Sequence, residues 1–267
     1  MSTQPSLDTN SPRSSTPLLP NQGPTYREDL RDTLFSTTLM ALSIVPFVLT
    51  PYYAWPSTPI RPHGLTVAIG AAGWVTALFL RAPISLLTSK LSPAHTITIT
   101  IWASGPCEEG IRVALLYLVP GTATFEGAWS LALGWTAIEI WYTLVQAGVW
   151  LKLQHDDSEK AREARAKIRE IYGDDMFNKR KGGWWWGGVE RASASMIHIG
   201  FSMWEVVNPF AAIPAAVVHS AINAGAVIGM KKIGITKTEI WLLAAASGIF
   251  FGALAAMRRN RTRSSTA

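Results

Sequence analysis

Glu108, Glu109, Arg112, Glu139, Glu190, Arg191, His198 and His219 all fall inside long runs that are otherwise almost free of charge. Carboxylates and imidazoles are the side chains of general acid and base chemistry. A carboxylate can take a proton from water, and nearby donors can receive a developing oxyanion. A charge at bilayer depth costs roughly 3 kcal/mol or more, so each of these needs a partner or a use. The spacing groups them into helix faces. Arg112 lies four residues after Glu108 and three after Glu109, and Glu139 lies four after Trp135. Asn223 lies four after His219, and Ser195, His198 and Ser202 share one face. Ionisable groups in such segments turn toward the bundle interior, so Glu108, Glu139, His198, His219 and Asn223 are expected to converge on one cavity.

Each residue also has a plainer reading. The charges can be neutralised ion pairs that specify helix packing, with Glu109 simply the partner of Arg112. Glu190 and Arg191 follow three tryptophans (Trp184, Trp185, Trp186) and can form an interfacial pair. His198 can be a packing histidine. Cys107 as a nucleophile is the lesser option, because small residues are common in packed membrane helices. Glu205 sits near a segment end and is expected to reach water. Arg81 either snorkels or pairs. Glu108, Glu139, His198 and His219 also make an oxygen-and-nitrogen set that zinc accepts, although no His-Glu-x-x-His motif is present. Without zinc, no cofactor is expected. A scaffold or a proton or ion path needs no hydrolysis at all. A transporter would show paired broken helices in two halves, and no such repeat is visible.

The segments that must position these residues are readable from composition. Of the 267 residues 48% are hydrophobic and 16% charged, against about 25% charged in soluble domains. Seven apolar segments, about 33–54, 65–89, 95–119, 126–151, 184–207, 210–230 and 238–257, each approach or exceed the roughly 20 residues that cross a bilayer. No alternating ten-residue pattern suggests a barrel. The expected fold is all-α, a polytopic transmembrane helical bundle of about seven (six to eight) spans in residues 33–257. Residues 1–32 read as a disordered Ser/Thr/Pro-rich tail ending in a short charged lead-in, 152–183 as a polar helical insert, and 258–267 as a basic tail.

The net charge of +6 could suggest nucleic acid, but the basic residues flank apolar runs and no basic stripe interleaves with aromatics. The partners implied are the lipid bilayer and a membrane-protein or peptide substrate. With seven spans, sixteen Lys and Arg fall on the side of the N-terminus and the 152–183 insert and five on the other, which places that side in the cytoplasm. The single cysteine excludes an intrachain disulfide.

The string Gly105-Pro106-Cys107-Glu108-Glu109-Gly110-Ile111-Arg112 resembles the first motif of the superfamily of CAAX prenyl proteases, bacteriocin-processing proteins and PrsW-type proteases, which are intramembrane glutamate proteases. Trp135-x-x-x-Glu139 resembles their second motif and His219-x-x-x-Asn223 the last, while Glu190-Arg191 followed by His198 is similar to the YhfC branch of membrane peptidases. The resemblance covers about 95–230. Two residues separate the double glutamate from Arg112, the PrsW spacing, and Glu139 stands where the CAAX branch has His. The pattern therefore favours a PrsW-like or YhfC-like relative over prenylated-substrate chemistry. The resemblance implies Glu108 as general base on a water, Glu139 holding that water or sharing its proton, and His219 and Asn223 as oxyanion donors.

Overall fold

The computed structural model describes residues 25–54, 61–172 and 183–265. Most of the expected tail, residues 173–182 of the insert and the last two residues lie outside the described residues. Among the described residues the chain is helical with no strand. The helices are α1 (Tyr26–Leu42), α2 (Val45–Ala54), α3 (Gly64–Leu87), α4 (Pro93–Leu118), α5 (Phe125–His155), α6 (Glu159–Tyr172), α7 (Trp186–Val207), α8 (Ala212–Lys232) and α9 (Ile235–Ser265), with a short 3-10 turn, Pro209–Ala211, before α8.

Four stretches are long and apolar enough to cross a membrane: Tyr26–Tyr52, Gly64–Leu87, Pro209–Lys232 and Ile235–Arg259. The helices α4, α5 and α7 have 26, 31 and 22 residues and carry most of the polar constellation. Three boundaries differ from the sequence expectation. The charged lead-in is already helix, because Thr25 caps α1 and the Glu28 carboxylate accepts the Thr25 N–H at 2.9 Å. The first apolar segment breaks in two at Ser43 and Ile44, just before Pro46, which has no N–H to continue the ladder. The basic C-terminal stretch is not a separate tail, since α9 runs on through it to Ser265.

Six helices close a ring. Helix α3 packs on α4 and α5, α5 on α7, α7 on α9, α9 on α8, and α8 on α4. Helix α1 lies outside, against α5 and α7. The α3–α5 seam is built on small residues: a Cβ added at Gly70 would overlap the Leu131 carbonyl, and one at Gly134 would overlap the Val67 carbonyl. Backbones that approach this closely gain van der Waals contact without needing large side chains. Trp129, Ile199, Met203 and Phe250 fill one core, and Trp74, Leu116, Leu131 and Trp135 another.

Inside α2, Pro51 lacks the N–H that would bond the Phe47 carbonyl four residues back. Trp129 Nε1 donates to that carbonyl instead, at 3.0 Å. The α5–α6 corner is held by Arg165 Nη1, which donates to the Leu153 and Asp156 carbonyls at 2.6 Å each. There the Ser158 N–H beside Asp156 holds its carboxyl below the usual value.

Candidate active site

The site begins at the Gly105-Pro106 step of α4. Proline removes one ladder hydrogen bond and frees the Trp102 carbonyl. Ser220 of α8 donates its hydroxyl to that carbonyl at 2.7 Å and accepts the Gly105 N–H at 3.2 Å. A Cβ at Gly105 would overlap the Ala216 carbonyl, so only glycine lets α8 come this close. The joint sets His219, next to Ser220, against the glutamates that follow Pro106.

Glu108 faces three groups. One oxygen lies 3.3 Å from Arg81 Nη2 of α3. The other accepts from Trp135 Nε1 of α5 at 3.3 Å and lies 3.7 Å from His219 Nε2. Glu109 points elsewhere: one oxygen pairs with Arg112 and the other is 2.5 Å from His219 Nδ1. The Arg112 guanidinium sits 4.6 Å from the centre of the Trp135 ring and bonds His198 Nδ1 at 2.8 Å. His198 Nε2 bonds Glu139 at 2.7 Å, and Glu139 bonds Arg191 at 3.0 Å. Arg191 pairs in turn with Glu190. A continuous polar chain thus crosses five helices, α3, α4, α8, α7 and α5.

The chain fixes proton positions. A guanidinium only donates, so His198 Nδ1 accepts and its Nε2–H donates to Glu139. Glu109 accepts the Nδ1–H of His219, which leaves Nε2 of that ring turned to Glu108.

A cavity of about 290 Å³ lies beside this chain. Glu108, Glu139, His198, His219 and Asn223 all line it, as do Glu190 and Arg191. Asn223 donates to Ser104 Oγ at 2.9 Å. Glu109 and Arg112 are buried behind the wall. Sequence spacing left open which glutamate Arg112 serves; its ion pair is with Glu109, and the cation of Glu108 is Arg81.

Of the two options for Arg81, snorkelling or pairing, the structure shows pairing, with Glu108. Two other residues of this neighbourhood depart from or escape the sequence reading. Glu205, expected to reach water, is fully buried. Its side chain leans back toward the N-terminus of α7, into the ring, rather than out past the helix end. Ser220 carried no sequence signal at all, because its role depends on a proline 114 positions earlier.

Atoms of Glu108, His198 and His219 lie within 4.8 Å of one another, which is the spacing of a metal group. Both ring nitrogens of His198 are already engaged, one as acceptor from Arg112 and one as donor to Glu139. A cation would have to displace one of them beside two guanidinium groups, so the side chains as arranged fit a metal poorly. Glu139 is spent on Arg191 and His198. No family model, curated protein or solved structure matches the chain.

Chemically, the arrangement offers a carboxylate held at both oxygens, a histidine nitrogen facing it, and an amide one helical turn along α8, all on one cavity.

Proposed function

We propose that this chain is an intramembrane glutamate-type endopeptidase that cleaves a membrane protein or peptide with a carboxylate-activated water. The observation that carries the reading is the convergence of Glu108, His219 and Asn223 on one cavity, with Arg81 and Trp135 orienting Glu108. The resemblance of the three motifs to the PrsW-like and YhfC-like branches points the same way.

Glu108 removes a proton from water as the water oxygen bonds to the scissile carbonyl carbon. Asn223 donates to the resulting oxyanion. When the carbon–nitrogen bond breaks, the proton passes from Glu108, by way of His219 Nε2, to the leaving amine. Glu139, tied to Arg191 and His198, orients the far wall of the cavity. In this reading seven segments cross the bilayer, with α1 and α2 making one crossing, and Trp184, Trp185 and Trp186 mark the interface. The N-terminus and α6 then face the cytoplasm, where basic residues concentrate.

The test is proteolysis of candidate membrane substrates by purified protein. Glu108→Gln keeps shape and removes the proton acceptor, so cleavage should fall roughly 10²- to 10⁴-fold while abundance is retained. Unchanged cleavage in this variant would overturn the reading. Loss of wild-type cleavage on chelation would replace it with a zinc-dependent peptidase, in which His198 would have to give up Arg112 or Glu139.

A further inference from the structure

Glu205 of α7 has no place in the chemistry above, yet it is fully buried, at 0% exposure. Neither carboxyl oxygen receives a hydrogen bond from any donor among the described residues. Tyr117 of α4 approaches it, but the phenol donates to the Glu205 backbone carbonyl at 2.8 Å and not to the side chain. The group beside the Glu205 carboxyl is another buried carboxyl, that of Glu109. Arg112 stands near both.

Two neighbouring buried carboxyl groups cannot both be anions, and one of them must carry a proton. The surroundings say which one carries it. Glu109 accepts from two nitrogen donors, the Arg112 guanidinium and His219 Nδ1, and both bonds call for an anion. Glu205 has no such donor. The charged and titratable groups around the pair are Arg112 from the same helix as Glu109, His219 from α8 and the Tyr117 phenol of α4, and none offers Glu205 a hydrogen for its carboxyl.

We propose that Glu205 is a positioning residue: a neutral carboxylic acid that donates its O–H to Glu109 and so locks the Glu109–His219 bond that turns His219 Nε2 toward Glu108. The proposal rests on the endopeptidase reading for its catalytic consequence, but not for its chemistry. Glu109 receives three donors from three helices, Arg112 of α4, His219 of α8 and Glu205 of α7. Its carboxyl plane, and with it the His219 ring, is then fixed from every side. With Glu205 gone, Glu109 is free to rotate about its terminal torsion onto Arg112 alone, and His219 loses its orientation.

The first measurement does not depend on any activity. Infrared spectra of the purified full chain at neutral pH should contain a C=O stretch of a protonated carboxyl that disappears in Glu205→Gln and persists in Glu139→Gln. No Glu205-dependent band would overturn the proposal. The second uses ¹⁵N-histidine. Glu205→Leu, similar in volume but without a donor, should shift the His219 Nδ1–H resonance, and Glu205→Gln, whose amide still donates, should leave it near its wild-type position. Equal shifts in both variants, or none in Glu205→Leu, would also overturn it. In the cleavage assay Glu205→Leu should lose about tenfold and Glu205→Gln should stay within about threefold. If the spectra behave as expected while Glu108→Gln cleaves normally, the endopeptidase reading falls and the Glu205–Glu109 bond stands. If Glu205→Leu does not fold, the Glu205→Gln infrared spectrum still decides.

Discussion

Arg112 of α4 and His198 of α7 are joined by a 2.8 Å hydrogen bond between Nη2 and Nδ1. The bond commits His198 to one tautomer, and that tautomer determines what the histidine can still do. ¹⁵N spectra at neutral pH should show His198 with an unprotonated Nδ1 and a protonated Nε2, and added zinc should leave both resonances in place. A zinc-induced shift of either would mean that the ring gives up Arg112 or Glu139 for the metal.

The Glu109–Arg112 pair is fully enclosed, so removing one partner strands the other. Glu109→Gln should cost about 3–5 kcal/mol and lower the thermal midpoint in detergent. Adding Arg112→Gln should recover much of that loss, because the uncompensated charge goes with it. If the double variant is as unstable as the sum of the two singles, the pair is not the structural unit described above.

Trp129→Phe removes the donor that serves the carbonyl left open by Pro51 and should destabilise by about 1–3 kcal/mol. Pro51→Ala restores a backbone N–H at that position. In the Pro51→Ala background the same tryptophan change should therefore cost measurably less. Identical costs in both backgrounds, measured by thermal unfolding, would detach the indole from the proline.

Gly105→Ala places a methyl group against the Ala216 carbonyl and must push α8 from α4. His219 then moves off Glu108 and Glu109. We expect cleavage to drop by roughly 10²-fold with a smaller effect on abundance, whereas Gly110→Ala, where a Cβ meets nothing, should be silent in both.

With Cys107 replaced by Ser, a cysteine at position 158 should react with an impermeant thiol reagent from the cytoplasmic side, given the excess of basic residues on that side of the chain. Labelling from the opposite side alone would invert the orientation.

The helices were legible in the sequence because apolar runs of some 20 residues admit little else, and the faces of Glu108, Glu139, His198, His219 and Asn223 followed from fourfold spacing. The partners did not follow. Glu108 and Glu109 stand four and three residues from Arg112, and both spacings permit a pair, so the choice falls to what α3 and α8 present across the ring, Arg81 and His219. Glu205 misled because distance to a helix end says nothing about the lean of a side chain. Boundaries shifted where a cap or a proline, Thr25 or Pro46, outweighed hydropathy.

The carbonyl of Trp102 also bears on how the chain is assembled. Pro106 leaves it open and Ser220 closes it, 118 residues further along the chain. During synthesis α4 is made long before α8 exists, and hydrocarbon offers an open carbonyl nothing. On the proposed seven-span reading, water or a local helix adjustment serves that oxygen until the hydroxyl of α8 arrives. The arrival of α8 thus both closes the Trp102 carbonyl and brings His219 to Glu109, because Ser220 and His219 are neighbours in the chain.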